Sequence, residues 1–232
     1  MSKKLILLLA LFVLTGSAKA QLFSKERLAN LETFDKRFLS WGYFLGFNQY
    51  DFKIEYNGPA EDIQVDRVGG FNVGLIGDMR INEYMNLRLE PGLYFSQRDL
   101  RFPGFTEERD ILREVKSTYI HVPLLLKVST KRLNNFKPFI VGGISTAWNL
   151  SSNSDNPQDN SGGEFRMEST AQFWEVGFGI DFYLFYFKFT PSIRGVFALN
   201  NELIPDNDPN SPWTGPVSSM GTRGIFINFT FQ

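Results

Sequence analysis

The segment QFWEVGFGIDF, Gln172–Phe182, decides the fold because it sorts two kinds of residue onto the two faces of one strand. Successive side chains of a strand point to opposite sides. One face is apolar and carries Trp174, Val176, Phe178, Ile180 and Phe182. The other face carries Glu175, Gly177, Gly179 and Asp181. Small and acidic residues opposite an apolar face are typical of a barrel whose outer wall contacts lipid and whose polar interior is narrow.

The same two-residue period recurs along the chain and predicts eight strands. In the segment 87–96, the leucines and Phe95 share one face with Pro91, while Arg88 and Glu90 share the other. Every segment is at least as long as the ~9–11 residues of a tilted membrane-spanning strand. The predicted strands cover 41–54, 70–80, 86–98, 115–128, 137–149, 171–183, 185–198 and 221–231.

The connections between these strands alternate in length. Long ones are expected at 55–69, 99–114, 150–170 and 199–220, and short ones at 81–85, 129–136 and around Leu184. Outer-membrane barrels have short periplasmic turns and long outer loops. The sequence therefore predicts an all-β fold, an eight-stranded antiparallel up-and-down transmembrane β-barrel formed by residues 40–232. We expect it in the cell outer membrane, in contact with outer-membrane lipid, with both termini in the periplasm.

The first residues indicate export. Lys3 and Lys4 precede an apolar run at 5–14, and Ala18-Lys19-Ala20 offers small residues at a cleavage point before Gln21. The apolar run is about half of the ~20 residues that a membrane-spanning helix needs, so residues 1–20 are predicted to be a signal peptide.

The next segment, residues 21–39, is expected to lie in the periplasm. Apolar residues at helical spacing within 23–38, among them Leu28, Leu31 and Phe34, predict a short amphipathic helix there. Three roles stay open for this helix: to lie on the membrane surface, to plug the lower mouth of the barrel, or to contact a partner.

Composition excludes several functions. The formal net charge is −1 and the chain has no cysteine, so neither a nucleic-acid partner nor disulfides are expected. No pattern predicts a metal site, a cofactor or a small-molecule substrate. The loop that begins Asp206-Asn207-Asp208 starts like a calcium loop, but Ser211 and Val217 stand where glycine and a bidentate glutamate belong, which favours an ordinary turn.

Charged residues on the polar face form the candidate site. Eight strands leave an interior just wide enough for side chains, and buried charges must pair. These residues therefore predict either a salt-bridged plug that keeps the barrel rigid or, as the alternative, an ion path. The predicted lumen-facing polar network consists of Arg88, Glu90, His121, Lys127, Glu175, Asp181, Lys188 and Arg194.

His121 is the one candidate for catalysis, because the sequence has a single histidine. Ser117 shares its face but lies four residues away, roughly 13 Å along a strand, too far for direct proton transfer. A partner on another strand, Asp181 or Glu175, stays open. No GxSxG or HExxH motif is present, so we expect no catalytic residue and interpret His121 as a hydrogen-bonded filler of the interior.

Pro123, two residues further on, cannot donate to a strand ladder, and a closed barrel has no free edge to hide it. We therefore expect a bulge or an unpaired carbonyl opposite Pro123.

Several stretches resemble the PorT family of Bacteroidetes outer-membrane proteins. They are SWGYFLGFNQYDFK (40–53), GFNVGLIGDMRIN (70–82), LRLEPGLYF (87–95), STYIHVPLLLKVSTKRLNNFKPF (117–139), YLFYFKFTPSIRG (183–195) and DNDPNSPWTGP (206–216). The resemblance extends from about Phe34 to Gln232. The stretches 129–139 and 206–216 are its most specific parts, since the Tyr119–Lys127 pattern is shared by many small barrels of that phylum.

The resemblance implies a component of the type IX secretion and gliding machinery, without enzymatic activity. Eight strands leave no lumen for a polypeptide, so we expect an accessory or scaffold protein that contacts other secretion subunits. The candidate contacts are Trp213 in the last loop and Lys131 and Arg132 in a short turn. Trp213 could equally pack against the rim of the barrel.

Overall fold

The computed structural model describes residues 29–232, which form a closed antiparallel β-barrel. Alternating apolar and polar residues place one face of each strand outward and the other into the interior. The strands are β1 (Leu39–Tyr56), β2 (Gln64–Arg80), β3 (Met85–Leu89), β4 (Gly92–Arg101), β5 (Leu112–Ser129), β6 (Phe136–Asn149), β7 (Thr170–Tyr183), β8 (Lys188–Ala198) and β9 (Val217–Phe231). A single helical turn, α1 (Glu108–Ile111), precedes β5. Within the described part of the chain, no helix is long and apolar enough to cross a membrane.

Eight strand positions make up the ring. Each strand position pairs with the next along the chain, and β1 closes the ring against β9. β3 and β4 are the two halves of one strand, because both lie between β2 and β5 and keep one register: Leu89 opposes Leu124, and Gly92 opposes His121. The predicted eight-stranded up-and-down barrel is confirmed.

Long and short connections alternate as expected. The turns 81–84, 130–135 and 184–187 lie at one end, the lower end, where β1 also begins and β9 ends. The loops 57–63, 102–111, 150–169 and 199–216 lie at the other, upper end. The connection near Leu184 differs from the prediction. β8 begins at Lys188 rather than at 185, because Leu184 donates to the Phe187 carbonyl and residues 184–187 form a four-residue turn.

The outer wall is an apolar belt. Its side chains are exposed because nothing in the protein covers them, and the lipid-facing residues predicted for β7 are among them. Trp148 and Trp174 mark the upper edge of the belt, and Trp41, Phe185 and Tyr186 mark its lower edge. Aromatic residues at both edges are typical of the two lipid–water interfaces.

Above the belt, several strands continue beyond the apolar wall. The outer face there is charged and forms exposed pairs such as Lys53–Glu55 and Lys116–Glu114. The inner face instead encloses an apolar cluster formed by Phe52, Leu100, Phe102, Val115, Phe165, Met167, Leu203 and Met220. Two of these residues come from loop 150–169 and one from loop 199–216, so the long loops fold inward and close the upper mouth.

The interior is narrow even where it is uncharged. Asn72 of β2 donates to the side-chain oxygen of Asn228 of β9 at 2.8 Å, and this hydrogen bond passes over Gly46 of β1, which lies between them. A Cβ at Gly46 would lie 2.2 Å from that oxygen, so only glycine fits beside the amide pair. Small residues on the polar face are therefore a requirement of barrel closure.

Pro123 produces an unpaired carbonyl rather than a bulge. Glu90 donates its backbone N–H to the Pro123 carbonyl at 3.3 Å. Proline has no N–H to return to the Glu90 carbonyl. The register is unchanged across the site, and the irregularity appears as the gap between β3 and β4 at Glu90 and Pro91.

The helix predicted for 23–38 is wrong in its described part. Residues 23–28 lie outside the described residues, and the remainder holds only a 3-10 turn at Phe34–Lys36. Leu31 adopts a positive φ of 50°, which ends any helical run there. Of the three roles left open, the plug of the lower mouth fits, because the Phe34 ring is buried and meets Tyr183 edge-on at 6.4 Å.

The belt generates a stability prediction. Ile144 is an outward residue of β6 with 63% of its surface exposed. Ile144→Arg should lower the free energy of unfolding by about 2–4 kcal/mol, because the charge faces hydrocarbon. The control Gln97→Arg adds the same group on the outer face above the belt and should cost about 0–1 kcal/mol. Guanidinium unfolding from phospholipid vesicles measures both, and equal costs would contradict the position of the belt.

Candidate functional site

The interior of the barrel holds a chain of ionisable side chains that starts near the lower end. Lys127 of β5 lies 2.5 Å from an Asp181 carboxylate oxygen of β7. Thr190 donates its hydroxyl to the other oxygen at 2.8 Å. Lys188 is buried nearby, with its ammonium 4.6 Å from the centre of the Phe34 ring. This lowest tier therefore joins β5, β7 and β8 to the segment around Phe34 that precedes β1.

The next tier surrounds Arg88 of β3. Its guanidinium is bound to Asp78 at 2.8 Å and to Glu90 at 3.3 Å. Asn86 donates to the second Asp78 oxygen at 2.7 Å. Both Asp78 oxygens therefore have a donor, as a buried carboxylate requires.

Arg194 of β8 connects this tier to the centre of the barrel. It lies 2.8 Å from Glu90 and 2.9 Å from Glu175, so one guanidinium joins acids from two strands across the lumen. His121 Nε2 lies 2.7 Å from the remaining oxygen of Glu175. Tyr94, Phe173 and Phe226 surround the imidazole. Aromatic rings therefore cover the part of the imidazole that does not contact Glu175.

The upper tier contains a buried arginine without a direct carboxylate partner. Arg98 is fully buried and donates to the hydroxyls of Thr222, Ser117 and Tyr119 at 2.9–3.0 Å. Its guanidinium also lies 3.9 Å from the centre of the Phe52 ring. Three hydroxyls and the face of one aromatic ring therefore hold this arginine in place.

Glu202, from loop 199–216, completes that tier. Thr222 donates both its backbone N–H and its hydroxyl to the Glu202 carboxylate, at 2.7 and 2.9 Å. Burial raises the pKa of Glu202, and the charge of Arg98 and the two Thr222 hydrogen bonds oppose that rise. Arg98 and Glu202 thus connect through Thr222 and bind the last long loop to the barrel interior.

The lower mouth is closed by the segment before β1. Tyr183 donates its hydroxyl to Asp35 at 2.6 Å, and the Asp35 carboxylate lies 4.0 Å from both Arg132 and Lys137. Arg132 stacks over the Tyr183 ring at 3.7 Å and donates to the backbone carbonyl of Asn30. Side chains of the barrel and its turns therefore hold this segment in the opening.

The upper mouth is closed by contacts between loops. Asp206 accepts hydrogen bonds from the backbone and side-chain amides of Asn160 at 3.2 and 3.0 Å, and from the Ser211 hydroxyl. Arg113 donates to the Asn160 carbonyl at 2.7 Å. Asp206 thus joins loops 150–169 and 199–216. Within residues 29–232, no group of three or more His, Cys, Asp and Glu side chains is arranged to hold a metal ion.

The structure places all eight predicted network residues inside the barrel, each at most 4% exposed. The eight comprise Arg88, Glu90, His121, Lys127, Glu175, Asp181, Lys188 and Arg194. Sequence reasoning missed Asp78, Arg98 and Glu202. The two-residue period could have identified Asp78 and Arg98, because both lie on the inward faces of their strands. No sequence signal identifies Glu202, since a loop brings it in.

These positions balance in charge. The four basic residues Arg88, Lys127, Lys188 and Arg194 face the four acidic residues Asp78, Glu90, Glu175 and Asp181. Breaking a buried pair costs far more than breaking an exposed one. The arrangement therefore acts chemically as a set of cross-links between strands.

Of the three predicted partner contacts, Lys131 is exposed, whereas Arg132 and Trp213 contact other parts of the protein. Arg132 is engaged with Asn30 and Tyr183 in the lower plug, because its long side chain reaches back over the turn. Trp213 packs on the rim instead of standing free: it stacks on Phe105 at 4.9 Å and donates its indole N–H to the Asp110 carbonyl at 3.0 Å.

The central tier generates a second prediction. Glu175→Gln leaves Arg194 with one acidic partner and should lower the free energy of unfolding by about 3–5 kcal/mol, because a buried charge loses its counter-ion. The control Glu114→Gln removes one member of the exposed Lys116 pair and should cost at most about 1 kcal/mol. Guanidinium titrations in vesicles measure both. A cost for Glu175→Gln as small as the control would show that the network does not brace the barrel.

No curated protein sequence matches the chain. Solved structures that resemble it include the outer membrane protein OprG of Pseudomonas aeruginosa, at 14% identity and a TM-score of 0.43, covering 82% of this chain and 94% of that one. The N-terminal barrel domain of Pseudomonas aeruginosa OprF, at 13% identity and a TM-score of 0.39, covers 82% and 97%. Neisserial surface protein A, at 10% identity and a TM-score of 0.41, covers 81% and 95%.

A sequence-family match carries the assignment. The family described as outer membrane protein beta-barrel domain matches residues 19–203, most of the chain. That match agrees with the closed barrel, the apolar belt and the alternating loops, and it places the protein in the outer membrane. The chain belongs to the outer membrane protein beta-barrel domain family.

Proposed function

We propose that the protein is a non-conducting, non-enzymatic accessory component of the type IX secretion and gliding machinery. The resemblance of residues 34–232 to the PorT family is the basis for assigning the protein to this machinery. The sealed interior is the observation that carries the accessory role. A conducting subunit needs an open lumen, whereas this interior is filled by Arg194 and its two acidic partners.

Both ends of the barrel support a scaffold role. The upper loops are fixed to one another through Asp206 and Asn160, so they offer a rigid surface on the outside. The lower turn at 184–187 carries Tyr186, which is 93% exposed, and Lys131 extends from the neighbouring turn. Other subunits of the machinery are the partners that we expect at these two surfaces, because binding residues are concentrated on loops that a rigid scaffold positions.

A small channel is the first alternative. Channels of outer-membrane barrels have a water-filled lumen, and this one is blocked at three levels by the upper apolar cluster, the Arg194 tier and the Phe34 plug. Stepwise conductance in planar bilayers would favour the channel, and silence would remove it.

A lipid-modifying enzyme is the second alternative, and it depends on His121. The imidazole is fully buried and its nearest acidic partner, Glu175, also binds Arg194. Substrate in the surrounding membrane has no path to it through the β5 wall. An activity that disappears in His121→Ala would be required for this function.

Deletion of the gene tests the proposal. Secreted cargo should accumulate in the periplasm of the deletion strain, because the machinery loses an outer-membrane component. A plasmid copy should restore secretion, and so should His121→Phe, since the proposal needs no imidazole. Normal secretion and surface display in the deletion strain would contradict the proposed role. Failure of His121→Phe alone, with the barrel folded in the membrane, would favour the enzyme.

A further inference from the structure

The lipid-facing wall contains a groove of about 750 Å³ over β5–β9. Its lining is apolar and comes from the outward faces of five neighbouring strands. The main outward residues are Leu126, Ile140, Val176, Phe178, Ile193 and Ile225. The belt therefore has a recess on this side, in which a chain from the surrounding lipid can lie.

Two outward glycines form part of the recess. Gly142 stands between Ile140 and Ile144 on β6, and Gly195 stands between Ile193 and Phe197 on β8. A Cβ at Gly142 would meet only the Glu175 carbonyl, at an ordinary contact distance of 3.6 Å. The fold does not require glycine at position 142, in contrast to Gly46 in the interior. The missing side chain leaves space on the lipid side only.

A second depression of about 230 Å³ continues the groove upward. The two share Gly195, Phe197 and Ile225. The upper depression is also lined by three charged residues, Asp51, Arg67 and Arg223. The combined recess therefore runs from the apolar belt to the charged extension above it.

Two arginines share one carboxylate at the upper end. Arg223 lies 2.8 Å from Asp51, and Arg67 lies 3.2 Å from the same oxygen. The guanidinium-bearing side chains are 47% and 53% exposed, whereas the Asp51 side chain is 10% exposed. Both positive groups thus face outward over a covered acid, and the cluster has one uncompensated positive charge. Planar guanidinium groups with free N–H donors bind phosphate oxygens in pairs.

The charge of the arginine cluster and the position of the recess relative to the belt together indicate what binds there. An apolar recess that ends in a double-arginine cluster at the outer edge of the belt matches a lipid with acyl chains below and a phosphate above. We propose that this recess is a binding site for a phosphate-bearing lipid of the outer leaflet, with an acyl chain over Gly142 and Gly195 and the phosphate at Arg67 and Arg223. The site is independent of the proposed role in secretion.

Native mass spectrometry of the full chain tests the site directly. The protein is reconstituted in phosphatidylcholine nanodiscs with a few per cent of diphosphoryl lipid A, and retained lipid A is counted after release. The unsubstituted barrel should retain one molecule. The double variant Arg67→Gln/Arg223→Gln should reduce retention about tenfold, because it removes the charge-assisted hydrogen bonds. Gly142→Leu should also reduce it by filling the groove.

Matched controls separate the outcomes. Arg101→Gln removes an arginine of equal exposure that pairs with Asp66 away from the recess, and it should retain lipid A. Fully dephosphorylated lipid A should not be retained, and inorganic phosphate should not compete, because it has no chain for the groove. Equal retention in the double variant, equal retention of the dephosphorylated lipid, or lipid-free dimers of the barrel would each overturn the proposal. Heat-modifiable gel mobility verifies that every variant is folded.

Discussion

The contact of Arg194 with Glu90 and Glu175 is the constraint on which the rest of the structure depends. Charged side chains are costly where they face the hydrocarbon around the strands, so they lie on the inner face of the barrel. Inside an eight-stranded ring they have no room for bulk water and must satisfy each other. The network therefore accounts for the inward position of the charges and for the small residues that lie beside them on the inner face.

Sequence periodicity was enough to predict the barrel and the inward position of its charges. Trp174 and Glu175 are neighbours in the chain, yet their opposite faces follow directly from the two-residue period. The pairing did not follow, because Glu175 meets His121 from β5 and Arg194 from β8, and strand register decides such contacts. The inward position of Glu202 and the contacts of Arg132 in the lower opening were beyond prediction for another reason: a loop and a turn carry these side chains into the barrel openings without any periodic pattern.

Because side chains fill the interior, the proposed function assigns the activity of the protein to its surfaces. The upper loops are fixed through Asp206, and the lower opening is occupied by the segment around Phe34. The outer wall adds a third surface, the glycine-containing recess that ends at Arg67 and Arg223. In the proposed function, the barrel acts by what it presents to lipid and to neighbouring proteins, with the ionic interior as its internal support.

The reactivity of a single introduced cysteine measures most directly whether the lumen is closed to solvent. The sequence contains no cysteine, so Ser145→Cys places one thiol on the inner face beside the central tier, where the serine is 5% exposed. A membrane-impermeant thiol reagent should leave this cysteine unmodified in the folded barrel and modify it after denaturation. Lys53→Cys, on the exposed outer face above the belt, should react at once. Modification of both folded variants at the same rate would contradict a sealed lumen.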